Sequence, residues 1–301
     1  MNHPRSAFGA PPGDGTAPSA PRGVAGGPAE PDPRRLLGKR VRLSPAFDPA
    51  LLSRIEDAGL NASAPPQQRW IDGWLVRFSP GKARRARCVQ AVAAGRLPLV
   101  QKLALAQAVF DEARLPAAVR ITPFSQPAGL DADLAALGWS PDDDTLVMAC
   151  TQVATGPDEA LPAGLVWQTL GHSAFAQAVG LLRGSPLSQC QAHAQRLELS
   201  PVPFQARAIR READGAVLAC GQFAREAELV GLYDVFTAET VRGQGLARRL
   251  CAKLLACARD EGAGVAYLQV EASNHVARRL YARLGFADGY AYHYRTLGPP
   301  T

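Results

Sequence analysis

The spacing of apolar residues predicts a strand, strand, helix, strand, helix, strand order in the first half of the chain. Within residues 70–79, Trp74, Val76 and Phe78 recur at every second position, which is typical of a half-buried strand. The turn residues "SPGK" separate this strand from a second one in "ARCVQAV". After Pro98 come a helical repeat, "LVQKLALAQAVFDEAR", a strand, "AVRITPF", a short helix, "DADLAALGW", and a strand around "TLVMAC".

The second half continues the alternation with more strands. A strand, "LVWQTL", is followed by two helical stretches within residues 173–199 and by the strands "FQARAIRRE", "AVLACGQFA" and "ELVGLYDVFT". A glycine loop then begins a helix with Leu246, Leu250 and Leu254 on one stripe. The strand "VAYLQVEA", the helix "NHVARRLYARLG" and the strand "ADGYAYHYR" come last. The series predicts an α/β fold with a mixed sheet.

Each half contains a helix that ends in Leu-Gly-aromatic just before a strand. The motif is "LGW" at residues 137–139 and "LGF" at residues 284–286. A single match would be explained by the preference of glycine for the left-handed position after a helix. Two matches in the same element order predict a tandem repeat.

Segments rich in proline and glycine divide the chain. Residues 1–35 contain hardly any large apolar side chain and cannot bury enough surface to offset the entropy of ordering, so we predict a disordered tail. Residues 155–164, "TGPDEALPAG", predict a linker. We therefore expect one domain over residues 36–154 and a second over residues 165–301.

Charge and cysteine usage narrow the classes of function. The net charge is +6, but residues 1–42 carry seven Arg and Lys against three Asp and Glu, and the remainder is nearly balanced. No folded segment has the basic face with interleaved aromatic residues typical of nucleic-acid binding, so we expect no such partner. The six cysteines form no C-x-x-C pair, which favours buried thiols in a reducing compartment. With neither a secretion signal nor an apolar run of bilayer length, we expect a cytoplasmic protein without a membrane partner.

The loop "VRGQGLARRL", residues 241–250, has the features of an anion site. Glycines at a helix start present backbone N–H groups and the positive end of the helix dipole to a phosphate. A P-loop requires Lys-Ser/Thr after its last glycine, whereas Gly245 is followed by Leu-Ala. A G-x-G-x-x-G fingerprint matches Gly243 and Gly245 but has Arg248 at its third glycine position. The loop therefore matches neither a P-loop nor a G-x-G-x-x-G fingerprint.

The motif Arg242-x-x-Gly245-x-Ala247, followed by Asn274 and Tyr281 after the next strand, resembles the GNAT superfamily of acetyl-CoA-dependent N-acetyltransferases. The "LGF" closure belongs to the same pattern. The resemblance implies a GNAT fold with acetyl-CoA as cosubstrate and no metal.

The resemblance covers roughly residues 165–295. Residues 43–153 resemble a diverged GNAT half in which "AAGRLP" stands in place of the glycine turn. The chain is thus expected to hold two tandem GNAT-like domains, of which the second is catalytic and the first shapes the acceptor cleft.

The resemblance assigns the glycine loop to the pyrophosphate of acetyl-CoA. Gly243 and Gly245 let the backbone approach the phosphates. The Arg242 side chain either contacts a phosphate or braces the loop, and we favour the second role with its backbone amide as the ligand. Amides of the preceding strand would hold the pantetheine and polarise the thioester carbonyl. Asn274 begins a helix, where Asn is also an ordinary cap, so both interpretations stay open. The predicted cofactor residues are Val235, Phe236, Thr237, Arg242, Gly243, Gln244, Gly245, Leu246, Ala247 and Asn274.

The resemblance also suggests the catalytic groups. Tyr281 would protonate the departing thiolate, with a core aromatic as the alternative. The general base is Asp234 or Glu271, each on one of the two central strands, and Asp234 ranks first because its strand contacts the acetyl group in relatives. His172 and His193 are expected to be surface residues.

The expected activity is acetyl transfer from acetyl-CoA to a primary amine by direct attack in a ternary complex. The sequence leaves open whether this acceptor is a small molecule or a peptide. The alternative is a catalytically silent acetyl-CoA-binding module with a regulatory or interaction role.

Overall fold

Residues 42–81, 83–153 and 160–297 are described by a computed structural model. The predicted tail at residues 1–35 lies outside these ranges, as do residues 36–41 of the predicted first domain and residues 155–159 of the predicted linker. The elements of the first half are α1 (Pro49–Ala62), β1 (Gln68–Ile71), β2 (Trp74–Arg77), β3 (Val89–Gln90), α2 (Leu99–Ala113), β4 (Ala118–Ile121), α3 (Leu130–Ala136) and β5 (Ser140–Cys150).

The second half has the element order predicted from its sequence. Its elements are β6 (Leu165–Leu170), α4 (His172–Arg183), α5 (Leu187–Glu198), β7 (Phe204–Arg211), β8 (Val217–Glu226), β9 (Leu229–Thr237), α6 (Leu246–Asp260), β10 (Val265–Glu271), α7 (His275–Arg283) and β11 (Ala287–Thr296).

The eleven strands form one sheet in the order β1-β2-β3-β4-β11-β5-β10-β9-β8-β7-β6. Two neighbouring pairs are parallel, β3 with β4 and β9 with β10, and the other pairs are antiparallel. Each parallel pair is joined by a crossover helix, α2 or α6. The mixed α/β fold predicted from the sequence is therefore confirmed.

The two halves exchange strands at the centre of this sheet. Strand β5 of the first half lies between β10 and β11 of the second, and β11 lies between β4 and β5. The β5–β10 register runs from Cys150 opposite Ala266 to Thr145 opposite Glu271. Strand order from β1 to β5 and from β7 to β11 is thus symmetric about the β11–β5 pair.

The two Leu-Gly-aromatic motifs close their helices in the same way. Gly138 and Gly285 have φ values of +83° and +90°. After each glycine, the amide of the aromatic residue donates to a carbonyl five residues earlier, Trp139 to Leu134 at 3.0 Å and Phe286 to Tyr281 at 3.1 Å. This is the left-handed closure that the sequence predicts for both helices.

The prediction of one strand over residues 70–79 was wrong, and α1 was missed. Asp72 and Gly73 have φ values of +42° and +83°, so the chain reverses there and β1 pairs with β2. Asp-Gly between apolar runs is a common hairpin signal. Helix α1 begins with an ordinary cap, in which the Asp48 side chain accepts from the Ala50 amide at 2.9 Å.

Packed apolar clusters cover the sheet. Leu246, Leu250 and Leu254 of α6 are buried, and α6 packs on β7, β8 and β9. Helices α1, α4 and α5 contribute buried residues to a second cluster that includes Ala206 and Tyr233. This arrangement holds the carboxyl end of β9 and the start of α6 side by side.

Candidate active site

A gap opens between the parallel strands β9 and β10. Their register runs from Leu229 opposite Val265 to Leu232 opposite Leu268 and goes no further. Strand β9 nevertheless continues to Thr237 and β10 to Glu271. The facing edges of the two strand ends are therefore not paired with each other, and the strands splay apart.

A bulge lies in β9 at the point where the gap begins. Gln222 of β8 faces Tyr233, but Cys220 faces Phe236, so β9 carries one extra residue in this stretch. Asp234 occupies the bulge with φ +51°. The bulge interrupts the regular ladder and directs the Asp234 side chain into a cleft shared by both halves of the chain.

The glycine loop forms the wall of a groove next to the gap. Gly243 and Gly245 have φ values of +80° and +77°, a region that side chains other than glycine rarely occupy. Gly245 is the residue before α6, whose first N–H groups have no partner inside the helix. Of the predicted cofactor residues, this groove is lined by Val235, Phe236, Thr237, Arg242, Gly243, Gly245, Leu246, Ala247 and Asn274. Gln244 is exposed and does not line it.

Arg242 contacts its own loop in this structure. Its Nη1 atom lies 3.1 Å from Oε1 of Glu239, and its guanidinium stands 6.0 Å from the centre of the Phe236 ring. Both side chains of the ion pair are largely exposed. The contacts are those of a side chain that supports the loop.

Asn274 and Tyr281 lie two turns apart at the other wall of the groove. The Asn274 side chain caps α7 by accepting from the Ala277 amide at 3.0 Å. Tyr281 stacks edge to face on Phe286, and its ring centre is 6.0 Å from that of Phe286. Both residues line the groove and also a neighbouring cavity. This cavity shares Asp234 and Glu271 with the cleft, and we call it the passage from the groove to the cleft.

The Tyr281 side chain is partly buried, and its hydroxyl stays protonated. Burial, with a smaller contribution from the Cys251 thiol, raises the pKa of Tyr281 above its ordinary value. Within the described ranges the hydroxyl has no hydrogen-bond partner. It therefore keeps its proton at neutral pH and remains available to a group bound in the passage.

The predicted base Asp234 is held in an ionic cluster. Its Oδ1 atom accepts from Arg183 at 2.9 Å, and its Oδ2 atom accepts from Gln222 at 2.9 Å. Nε2 of His193 lies 3.3 Å from Oδ2. Burial alone would raise the pKa of this carboxyl, but His193 and Arg183 outweigh it and hold the pKa far below its usual range. These contacts favour an anchoring role over proton abstraction.

Glu271 is in a different environment at the end of β10. Its carboxylate is exposed, lines the cleft and the passage, and forms no ion pair with any described residue. Of the two carboxylates named from the sequence, Glu271 is the one with free acceptor capacity.

The sequence prediction missed most of the cleft. His193, expected at the surface, lies in the cleft with a side chain 17% exposed. The first half contributes Arg84, Arg85 and Asp143 to the same cleft, and α5 contributes Arg196. No local motif marks these residues, because only the tertiary fold brings them together.

Two further findings concern metals and membranes. The described residues contain no group of three or more His, Cys, Asp or Glu side chains placed to hold a metal ion. Among the same residues, no helix combines the length and the apolar character needed to cross a bilayer.

The gap, the glycine loop and Tyr281 fall within a stretch that matches a known family. Residues 182–286 match the Acetyltransferase (GNAT) family. This segment therefore resembles a GNAT acetyltransferase domain and is called the GNAT domain below. The match and the relative described next support an acyltransferase.

The likeness extends beyond the GNAT domain. The chain is 25% identical over 231 residues to the Bacillus subtilis protein named uncharacterized N-acetyltransferase YobR, covering 76% of this chain and 91% of that protein. A GCN5-related N-acetyltransferase from Kribbella flavida superposes with a TM-score of 0.59 at 17% identity, over 82% of this chain and 96% of its own. A tandem GNAT protein from the clavulanic acid biosynthesis pathway has a TM-score of 0.52 at 17% identity, over 68% and 73%. The structural likenesses show the GNAT fold.

Proposed function

We propose that the GNAT domain transfers acetyl from acetyl-CoA to a primary amine by direct attack in a ternary complex. The observation that carries this proposal is the junction at Tyr281, where the groove of the glycine loop meets the cleft that contains Glu271. A thioester bound along the groove would present its reactive end at this junction. Acetyl-CoA supplies that thioester.

The groove fits a ligand with a pyrophosphate. The left-handed glycines expose the loop backbone, and an alanine or larger side chain at Gly243 or Gly245 would be strained there. The start of α6 adds unpartnered N–H groups and a positive dipole end. Val235, Phe236 and Thr237 line the same groove beyond the bulge and are assigned to the pantetheine arm.

The residues at the junction supply the proton transfers. Glu271 accepts a proton from the attacking ammonium, directly or through a water. The amine nitrogen forms a bond to the acetyl carbon, the carbon–sulfur bond breaks, and Tyr281 gives its proton to the departing sulfur. The second proton that the nitrogen must lose returns through water to the tyrosinate, which restores Tyr281 and leaves a neutral amide. Backbone N–H groups at the bulge stabilise the negative charge that develops on the carbonyl oxygen.

Asp234 is assigned a supporting role in this scheme. Its carboxylate holds Arg183 on α4 and His193 on α5 against β9, so the two helices keep a fixed position beside the bulge. The low pKa of Asp234 preserves this charge throughout the neutral range.

We also infer that the chain is a tandem of two GNAT-like halves, with the domain limits predicted from the sequence. The symmetric strand order and the paired Leu-Gly-aromatic closures support this inference. The first half has "AAGRLP" after β3 in place of the Arg-x-x-Gly-x-Ala motif and is assigned to shape the acceptor cleft through its Arg84–Ala86 turn.

A turnover assay tests the proposed function. Purified full-length protein is incubated with acetyl-CoA and a panel of primary amines, both small molecules and peptides, and free thiol is measured over time. We expect thiol release that depends on the amine and matches the amount of acetylated product. Tight acetyl-CoA binding without turnover on any amine would instead indicate the silent binding module.

A further inference from the structure

Two arginines from opposite halves of the chain lie in the acceptor cleft. Arg85 belongs to the short 3₁₀ turn Arg84–Ala86 of the first half, and Arg196 belongs to α5 of the second. Both line the cleft and the passage to the groove, and both are partly buried. Neither lines the groove of the glycine loop. Their charges are therefore placed for the acceptor and not for the pyrophosphate.

Neither guanidinium has an anionic partner in the described part of the chain. Arg85 donates from Nη1 to the Tyr292 hydroxyl at 3.3 Å, and its Nε atom is buried without a hydrogen-bond partner among these residues. Arg196 donates from Nη1 to the Ala62 carbonyl at 3.3 Å and lies 5.8 Å from the centre of the Phe204 ring. A buried donor without a partner is costly unless a ligand satisfies it.

Apart from Glu271, the other ionic groups nearby are already engaged. Arg84 binds Asp142 at 2.8 Å, and Arg183 binds Asp234 at 2.9 Å. Glu56, whose charge reaches Arg85, is itself bonded to Arg120 and to the Tyr290 hydroxyl. Ion pairing among the described residues therefore leaves Arg85 and Arg196 without an anionic partner.

The two cations also influence each other. Burial lowers the pKa of Arg196, the charge of Asp234 counters this, and the charge of Arg85 adds to it. Arg85 and Arg196 are like charges that face one cleft from separate halves of the chain. An anion bound between them would offset their repulsion. Glu271, at the end of β10, is the unpaired carboxylate of the same cleft.

We propose that the amine acceptor carries an anionic group, a carboxylate or a phosphate, which Arg85 and Arg196 bind together. The proposal rests on the proposed acetyl transfer and defines its substrate class. Planar guanidinium groups match either anion with two parallel hydrogen bonds. With the anion held by the arginines, the amine at the other end of the acceptor is directed toward Glu271 and the gap between β9 and β10.

Matched acceptors test this proposal. The panel contains α-amino acids, the carboxamide of each, the amine that lacks the carboxyl group altogether, and ethanolamine phosphate. Because a charge-assisted hydrogen bond favours the anion, we expect kcat/KM to be about 10- to 100-fold higher for anionic acceptors than for the neutral analogues. The comparison of amino acids with ethanolamine phosphate identifies which anion is preferred.

Variants at the two arginines connect the preference to the site. Arg85→Gln and Arg196→Gln should raise KM for anionic acceptors by about 10-fold or more and abolish the preference over carboxamides, with acetyl-CoA affinity unchanged. Arg85→Lys retains the charge and should retain part of the preference. Arg211→Gln is the control, because Arg211 is an exposed residue paired with Asp214 at 2.7 Å and lies outside the cleft. Melting curves verify that each variant is folded.

Failure of this proposal can be told apart from failure of the proposed function. Equal kcat/KM for amino acids and carboxamides, or an unchanged preference in both glutamine variants, overturns the anion site while acetyl transfer stands. If no amine is acetylated, calorimetry on the CoA-bound protein compares an amino acid with its carboxamide. Tighter binding of the amino acid that is lost in Arg85→Gln supports the site, and equal binding of the two overturns it.

Discussion

Tyr281 and Asp234 are both partly buried, but their pKa values shift in opposite directions. Burial raises the pKa of Tyr281, which has no charged partner to offset the loss of water. For Asp234, the contacts to His193 and Arg183 exceed the cost of burial, and the pKa falls. Tyr281 therefore stays protonated, whereas Asp234 stays charged and binds His193 and Arg183.

Replacing Tyr281 by Phe separates chemistry from binding. The change keeps the ring that stacks on Phe286 and removes the proton donor. We expect kcat to fall by about 100-fold or more, on the scale of general acid catalysis, with little change in acetyl-CoA affinity. Tyr267→Phe is the control, because the Tyr267 hydroxyl contacts that of Tyr233 at 2.7 Å away from the groove. Full activity in Tyr281→Phe would remove this residue from the catalytic scheme.

Replacing Asp234 by Asn tests its anchoring role. The variant leaves Arg183 and His193 without their anion, so the free energy of unfolding at pH 7 should fall by about 1 to 3 kcal/mol. A carboxyl whose pKa is lowered on folding stabilises the protein above its unfolded pKa, and this contribution is lost as the pH falls below about 4. The difference in stability between wild type and Asp234→Asn should therefore shrink in acid, as followed by denaturant unfolding at several pH values.

Glu271→Gln provides the contrast to that variant. Because Glu271 is exposed and forms no ion pair with the described residues, this change should leave stability nearly unaltered and lower kcat. A large loss of stability in Glu271→Gln, or none in Asp234→Asn, contradicts the division of roles.

Most residues that line the groove and were assigned to the cofactor could be named from the sequence, but the two arginines of the cleft could not. The spacing of Arg242, Gly245 and Ala247 is local, so a short stretch of chain carries the whole signal. Arg85 and Arg196 are far apart in sequence, and neither belongs to a motif. Their relation arises only when the first half folds against the second.

The start of α6 combines a strained loop with a helix end. An aspartate at Gly245 would adopt an unfavourable φ and bring a negative charge to the proposed pyrophosphate site, so Gly245→Asp should abolish most acetyl-CoA binding in calorimetry. Gly262→Asp is the matched control, because Gly262 has φ +101° and open space around it just beyond the other end of α6. A similar loss of affinity in both variants would attribute the effect to strain in the helix and not to the site.

Sequence patterns predicted most helices and strands because each pattern has a local cause. The amphipathic stripe of α6 follows from burial of one face, and the apolar runs of β8 and β9 follow from burial of both faces. The hairpin at Asp72-Gly73 was overlooked because its flanking strands share one apolar alternation, which was interpreted as continuous. Strand order was beyond prediction, since it depends on pairing between distant segments.

The shared sheet makes each half depend on the other. A fragment of residues 160–301 lacks β5, so β10 and β11 would each lose an inner neighbour. We expect this fragment to aggregate or to lose acetyl-CoA binding, and coexpression with residues 1–159 to restore soluble, binding-competent protein. Gel filtration and calorimetry check this result. Independent folding and full affinity of the fragment alone would contradict it.

The position of β5 also determines the order in which the sheet can be completed during synthesis. β5 ends at Cys150, whereas its two partner strands begin at Val265 and Ala287. Both edges of β5 therefore remain unsatisfied on the ribosome while nearly the entire second half is being made. An unpaired strand of this kind invites pairing with another chain. We infer that the nascent protein is most vulnerable to aggregation in this interval and that slowed translation after Cys150 would lower its soluble yield.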